Sequence, residues 1–246
     1  MQSLLIAFLF WIVSCTPSYA ISLGATAVHG PFSSGQIVLS YTGTTAGNGL
    51  LVQCMWNNDG TAGYDWVTKT VSGESDLTLQ ASTLAHNVTL GYTSQIGILS
   101  KLTSGGTKTI TLAFHVNVVA AYCHAQELVG GTNGIQTAGA QTASGNGTNP
   151  TMTLTTSINN AAIFFRVLSD TSNPTPGANY TTHTTMNWYL PFDRNYYDLN
   201  VGSSGAITVD TTDSNIQQYV MNGLAVADDN SGGGGGGGNV SSKRIY

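Results

Sequence analysis

Apolar and polar positions alternate with a period of two along most of the chain, which is the pattern of half-buried strands. Gln36–Tyr41, QIVLSY, is the first such segment, and Gly49–Trp56, GLLVQCMW, is a near-continuous apolar run suited to a central strand covered on both faces. Further strands are predicted at Asp65–Val71, Asp76–Gln80, Asn87–Tyr92 and Gly97–Leu102. In Thr107–Phe114 the side chains of Ile110, Leu112 and Phe114 point one way, and Thr109, Thr111 and Ala113 the other. Val116–Leu128 follows. Gly130–Pro150, rich in Gly, Thr, Asn and Ser, reads as a long loop. Strands resume at Thr151–Ser157, Ala161–Ser169, Thr184–Leu190, Ala206–Thr211 and Tyr219–Ala227. No stretch keeps a 3.6-residue period for three turns; the best helical fragment is the short Ser214–Val220. Short strands separated by turn residues predict an all-β, antiparallel two-sheet β-sandwich of jelly-roll type over residues 21–227. The competing arrangement is two smaller sandwiches split near residue 140. One domain is favoured because each half alone would expose long strand edges.

The two ends of the chain differ from this pattern. Leu4–Val13, LLIAFLFWIV, is too short to cross a bilayer, which takes about 20 residues. It fits the apolar region of a secretory signal, residues 1–20, with Ser18 and Ala20 at the −3 and −1 positions of a cleavage site, although no Lys or Arg precedes it. Ile12-Val13-Ser14-Cys15 also resembles a lipobox, which would place a lipid anchor on Cys15. No later segment has the length and apolarity of a transmembrane helix. Residues 228–246 contain Gly232 to Gly238, seven glycines, and read as a flexible tail.

Composition narrows the function. Charged residues make up 8% of the chain against about 25% in ordinary soluble domains, and seven Lys and Arg cannot build the basic stripe of a double-stranded nucleic-acid binder. Cleavage after Ala20 leaves two cysteines, Cys54 and Cys123, an even count in an exported chain that invites a disulfide. Such a bridge would stabilise by about 4 kcal/mol in the chain-entropy model. The alternative is two buried thiols.

Ala46-Gly47-Asn48-Gly49-Leu50-Leu51-Val52 leading to Trp56, the strand Thr107-Lys108-Thr109-Ile110-Thr111-Leu112-Ala113-Phe114, and Glu127-Leu128-Val129-Gly130 together resemble a group of secreted or phage-associated β-sandwich proteins. The resemblance covers about residues 40–225 and implies a sandwich on an exported or particle-surface protein. It brings no catalytic motif.

No constellation for chemistry stands out. There is no GxSxG, no H-x-H and no HExxH, so the sequence offers no catalytic residue, no metal site and no cofactor. Half of the acids neighbour Gly, Ser or Asn, as turn formers do; Glu127 alone ends an apolar strand. Loop carboxylates such as Asp193 with Asp198, or Asp210 with Asp213, outline a calcium site only loosely.

Two aromatic clusters are the strongest signal outside the core. One contains Trp56, Tyr64 and Trp66; the other runs from Trp188 through Asp193, Arg194, Tyr196 and Tyr197. Rings beside Asn, Asp and Arg suit sugar recognition, since rings stack on C–H faces while polar groups bond hydroxyls. Tyr64, Trp66, Trp188, Asp193, Arg194, Tyr196 and Tyr197 are therefore the candidate glycan-binding set, with the loop tyrosines expected to be the more exposed. The alternative is that Trp56, Trp66 and Trp188 plug the sandwich core. The leading expectation is a non-enzymatic extracellular or virion-surface structural or adhesive protein, with a glycan or cell-surface ligand, homo-oligomers or particle assembly as partners. A carbohydrate-binding module is the second reading and a secreted hydrolase the third.

Overall fold

The computed structural model describes residues 21–32, 35–57, 66–114, 118–130, 133–170, 174–186, 192–199, 201–213, 215 and 217–229. The alternating segments form β1 (Ser22–Phe32), β2 (Gln36–Thr44), β3 (Gly49–Asn57), β4 (Trp66–Val71), β5 (Thr78–Leu79), β6 (Ala85–Asn87), β7 (Tyr92–Leu99), β8 (Gly106–Phe114) and β9 (Ala120–Val129). They continue as β10 (Ile135–Gly147), β11 (Thr151–Thr156), β12 (Ala162–Ser169), β13 (Thr175–Pro176), β14 (Thr181–Met186), β15 (Phe192–Asp198), β16 (Gly205–Thr212) and β17 (Gln217–Asp228). One 3-10 turn, Ala81–Thr83, is the only helical element among the described residues.

The fold is an all-β antiparallel sandwich, with four sheets among the described residues in place of the expected two. A six-stranded sheet has the order β1-β9-β3-β7-β5, with β6 also on β7, and faces a three-stranded sheet β2-β8-β4. A five-stranded sheet, β10-β17-β12-β15-β14, faces a second three-stranded sheet, β11-β16-β13. The second pair of orders repeats the first strand for strand, with β10 to β13 standing for β1 to β4, β14 for β5, and β15 to β17 for β7 to β9. One topology is laid down twice, and the division falls at residues 130–134.

Each pair encloses its own core. Alternate residues of β2, β3, β4, β8 and β9, among them Leu39, Val52, Trp56, Trp66, Ile110 and Leu112, fill the first. Leu154, Phe165, Val167, Val209 and Met221 fill the second, where Phe165 sits opposite Gly223 in the β12–β17 ladder. A Cβ on Gly223 would lie 2.6 Å from the methyl of Met152, 3.1 Å from Phe165 Cβ and 3.2 Å from Leu154 Cδ1, so the packing of Met152 requires that vacancy.

The two larger sheets also pack back to back. Leu51, Ile96, Ile98 and Leu128 meet Ala162, Phe164, Leu224 and Val226, while Met55 and Tyr122 meet Leu168 and Val220. The layers therefore run three-stranded, six-stranded, five-stranded, three-stranded. This explains why β3, β9 and β12 are buried without alternation: both faces are covered. Between the apolar groups lies a buried polar row. Gln53 opposite His124 forms the six-stranded side, and Arg166 opposite Asn222 the five-stranded side. Asn222 Nδ2 donates to Thr83 O at 3.0 Å, and Asn87 Nδ2 to Gln218 Oε1 at 3.2 Å, so hydrogen bonds also cross this seam. Gly134, at φ 90°, makes the crossing turn: a Cβ there would stand 2.2 Å from Ser100 O, the acceptor of the Ile135 N–H.

Three expectations are corrected. Gly130–Pro150 is not a long loop, because β10 pairs with β17 from Ile135 to Gly147. Asn87–Tyr92 is chiefly a turn: Asn87 Oδ1 accepts the Leu90 N–H at 3.1 Å, joining β6 to β7. The helical fragment fails where it is described, since Tyr219 and Val220 belong to β17, whose apolar side chains two sheets already claim.

Candidate functional site

Among the described residues, the aromatic candidates do not gather into an exposed site. Trp66 opens β4 opposite Phe114 and is 2% exposed. Its ring centroid lies 6.4 Å from that of Trp56, which in turn lies 5.0 Å from Phe114. This is a core cluster.

The expected loop of the second cluster is a strand. β15 is held between β12 and β14, with Tyr196 opposite Phe165 and Arg194 opposite Val167. Tyr196 is therefore 1% exposed, its centroid 5.1 Å from Phe165 and its hydroxyl donating to Pro174 O. Tyr180, its centroid 4.9 Å from Phe165 and edge-on to it, closes the same ring stack. Burial, and then the charges of Asp198 and Asp210, push the Tyr180 phenol up to about 12. Arg194 is 5% exposed. Tyr197 is half-buried, 6.3 Å from Phe164 in the seam between the larger sheets. Loop exposure is thus corrected for Tyr196, whose face is spent on Phe165. Tyr64, Trp188 and the side chain of Asp193 lie outside the described residues.

The acids carry structural loads. Glu127 is 2% exposed. Its carboxylate accepts the backbone N–H of Ala25 at 3.1 Å and of Thr45 at 2.7 Å, and Asn48 Nδ2 at 2.8 Å. It ties β1 and the β2–β3 turn to β9, and its oxygens are already occupied. Burial, and then the Glu127 charge, raise the Tyr41 phenol well above its ordinary range, and that hydroxyl donates to Ala25 O.

Glu74 is the second structural acid, one that sequence reading passed over. It pairs with the almost fully covered Lys108 and accepts the Thr103 N–H at 2.7 Å, the Thr103 hydroxyl at 2.6 Å and the Ser104 N–H at 3.2 Å. Burial alone would raise its pKa. The bonds from Lys108, Thr103 and Ser104 outweigh that and hold it at about 2.

Of the histidines, His124 is buried with Nε2 3.0 Å from Thr26 Oγ1, and His86 Nδ1 lies 2.9 Å from Thr93 Oγ1. Burial holds the His86 imidazole below its ordinary value. Among the described residues, no group of three or more His, Cys, Asp or Glu is placed to hold a metal ion.

Cys54 and Cys123 form a disulfide. They face each other directly in the β3–β9 ladder, with Cα atoms 4.1 Å apart, the close spacing of a non-hydrogen-bonded antiparallel pair. Both are fully buried.

Among the described residues, the outside of the two small sheets is open to contact. Val38, Thr111 and Thr70 run side by side across β2, β8 and β4, with Ser40 beside Thr109. On the other outer sheet Thr151, Thr153 and Thr155 of β11 are exposed, paired in turn with Asp210, the one charge in this row, Thr208 and Ala206. These faces present hydroxyls and methyls and almost no charge. No helix among the described residues is long and apolar enough to cross a membrane. No protein-family model matches the chain, no curated protein matches it in sequence, and no solved structure matches its fold.

Proposed function

We propose that this chain is a non-enzymatic structural or adhesive protein of an extracellular or virion surface. The observation that carries the reading is where the chemistry-bearing side chains go. Trp66, Tyr196, Glu127 and Glu74 are all engaged in packing or structural hydrogen bonds, while the outward sheets are broad threonine-lined faces. Such faces make contacts through shape and short-range hydrogen bonds, because they generate little long-range field. Export by the Leu4–Val13 segment accords with the disulfide, which persists in oxidising compartments.

Fractionation of the producing culture tests the reading, with an antibody against the folded chain applied to intact cells, purified particles, cytosol and medium. The expected result is antigen on intact cells or particles, in the oxidised form. Antigen confined to the cytosol, or free in the medium as a non-adherent species, would overturn it.

A further inference from the structure

Among the described residues, β10 is the outermost strand of the five-stranded sheet and is laddered to β17 on one side only. Its 13 residues make it longer than β1, the 11-residue edge of the six-stranded sheet. It contains no charged residue and no proline, the devices that ordinarily keep an edge from pairing. Its one bulge, at Thr137–Gly139, lies near its start, where Ala138 O accepts the Ser157 N–H. From Gly139 to Gly147 the register is regular.

In an antiparallel ladder, alternate residues turn both backbone groups away from the partner. Thr142 shows which ones. Its N–H donates at 3.2 Å to Oε1 of the adjacent Gln141, a local bond on an exposed edge. The backbone groups of Ala140, Thr142, Ser144 and Asn146 therefore face outward, and among the described residues no second strand bonds them.

We infer that this edge is where a second copy of the chain adds, β10 against β10 antiparallel about a twofold axis near Ala143. In that register Ala140 meets Asn146 and Thr142 meets Ser144, giving about eight backbone bonds at two per pair. A twofold contact sets a strand against itself, so a charge close to the axis would lie beside its own like. β10 carries none. Its Ala, Gly, Ser, Thr and Asn side chains leave room for close approach but form no pockets to select a foreign peptide. The contact joins two five-stranded sheets into one continuous sheet. This deepens the structural reading above by naming the assembling edge, and rests on it for the expectation of assembly.

Sedimentation of the signal-cleaved, oxidised chain from about 1 to 100 μM tests it, beside Thr142→Pro and Ser144→Lys. Amide exchange at Thr142, Ser144 and Asn146 is followed at both ends of the range. The wild type is expected to dimerise with concentration, and those amides to slow by about tenfold or more in the dimer. Thr142→Pro removes an N–H that β17 does not use, and Ser144→Lys places two like charges across the axis. Both are expected to be monomeric with circular dichroism like the wild type. If Thr142→Pro misfolds, Ser144→Lys and the exchange data decide. A wild type monomeric throughout, association only with other proteins, or a dimer equally strong in both variants would overturn the inference. Surface fractionation reads the broader proposal separately, so either can fail alone.

Discussion

Lys108 occupies a position that the alternation of β8 assigns to the core, in line with Ile110, Leu112 and Phe114. A cation there is tolerated because Glu74 reaches it from the β4–β5 connection and is itself held by Thr103 and Ser104. The folded-state pKa of Glu74 is lowered to about 2, so its contribution is present above the unfolded value of 4.5 and is lost as pH falls from there through 2. Glu74→Gln is expected to cost about 2 kcal/mol at pH 7, discounted for a site at the sandwich rim, and to flatten the acid limb of the stability profile. Urea titrations at pH 7, 4 and 2.5 read both effects, and an unchanged acid limb would show that other carboxylates govern it. Glu127 was recognisable as an acid ending an apolar strand. Its partners Asn48, Thr45 and Ala25 stand 79, 82 and 102 residues away in the chain, beyond the reach of any local pattern.

Strands that bury one or both faces were legible because burial leaves a period-two or continuous apolar record, as in β2, β3, β8 and β12. β10 and β15 were not. β10 is an edge strand whose side chains are small and half-exposed, so it carries the composition of a loop. β15, FDRNYYD, carries polar residues whose cover comes from neighbouring strands. The disulfide belongs to this scale too. The cysteine count invited it, but only the β3–β9 register brings Cys54 opposite Cys123. Replacing both by Ser is expected to lower the unfolding free energy by about 4 kcal/mol. In the intact protein the buried bridge should resist thiol reductant until denaturant is added. Mass-resolved alkylation with and without denaturant checks this, and rapid labelling of the native fold would contradict the burial.

The whole molecule is one topology used twice, with the two large sheets packed against each other. Unfolding should be a single transition, because exposing either large sheet strips cover from the other. Phe164→Ala, at the centre of that seam, is expected to cost about 3–5 kcal/mol and to split the calorimetric transition in two. A single, unshifted peak would mean that the halves are not coupled there. By itself the sequence determined the β class, the apolar runs that became central strands, the low charge and the cysteine pair, because periodicity and composition record how each strand is covered. The tertiary structure alone decided that the sheets number four, that Trp66 and Tyr196 are packing residues, and that β10 is an open edge. Those outcomes depend on which strands become neighbours. That choice is made by contacts between residues far apart in the chain, whereas a local pattern reports only whether a face is covered, not by what.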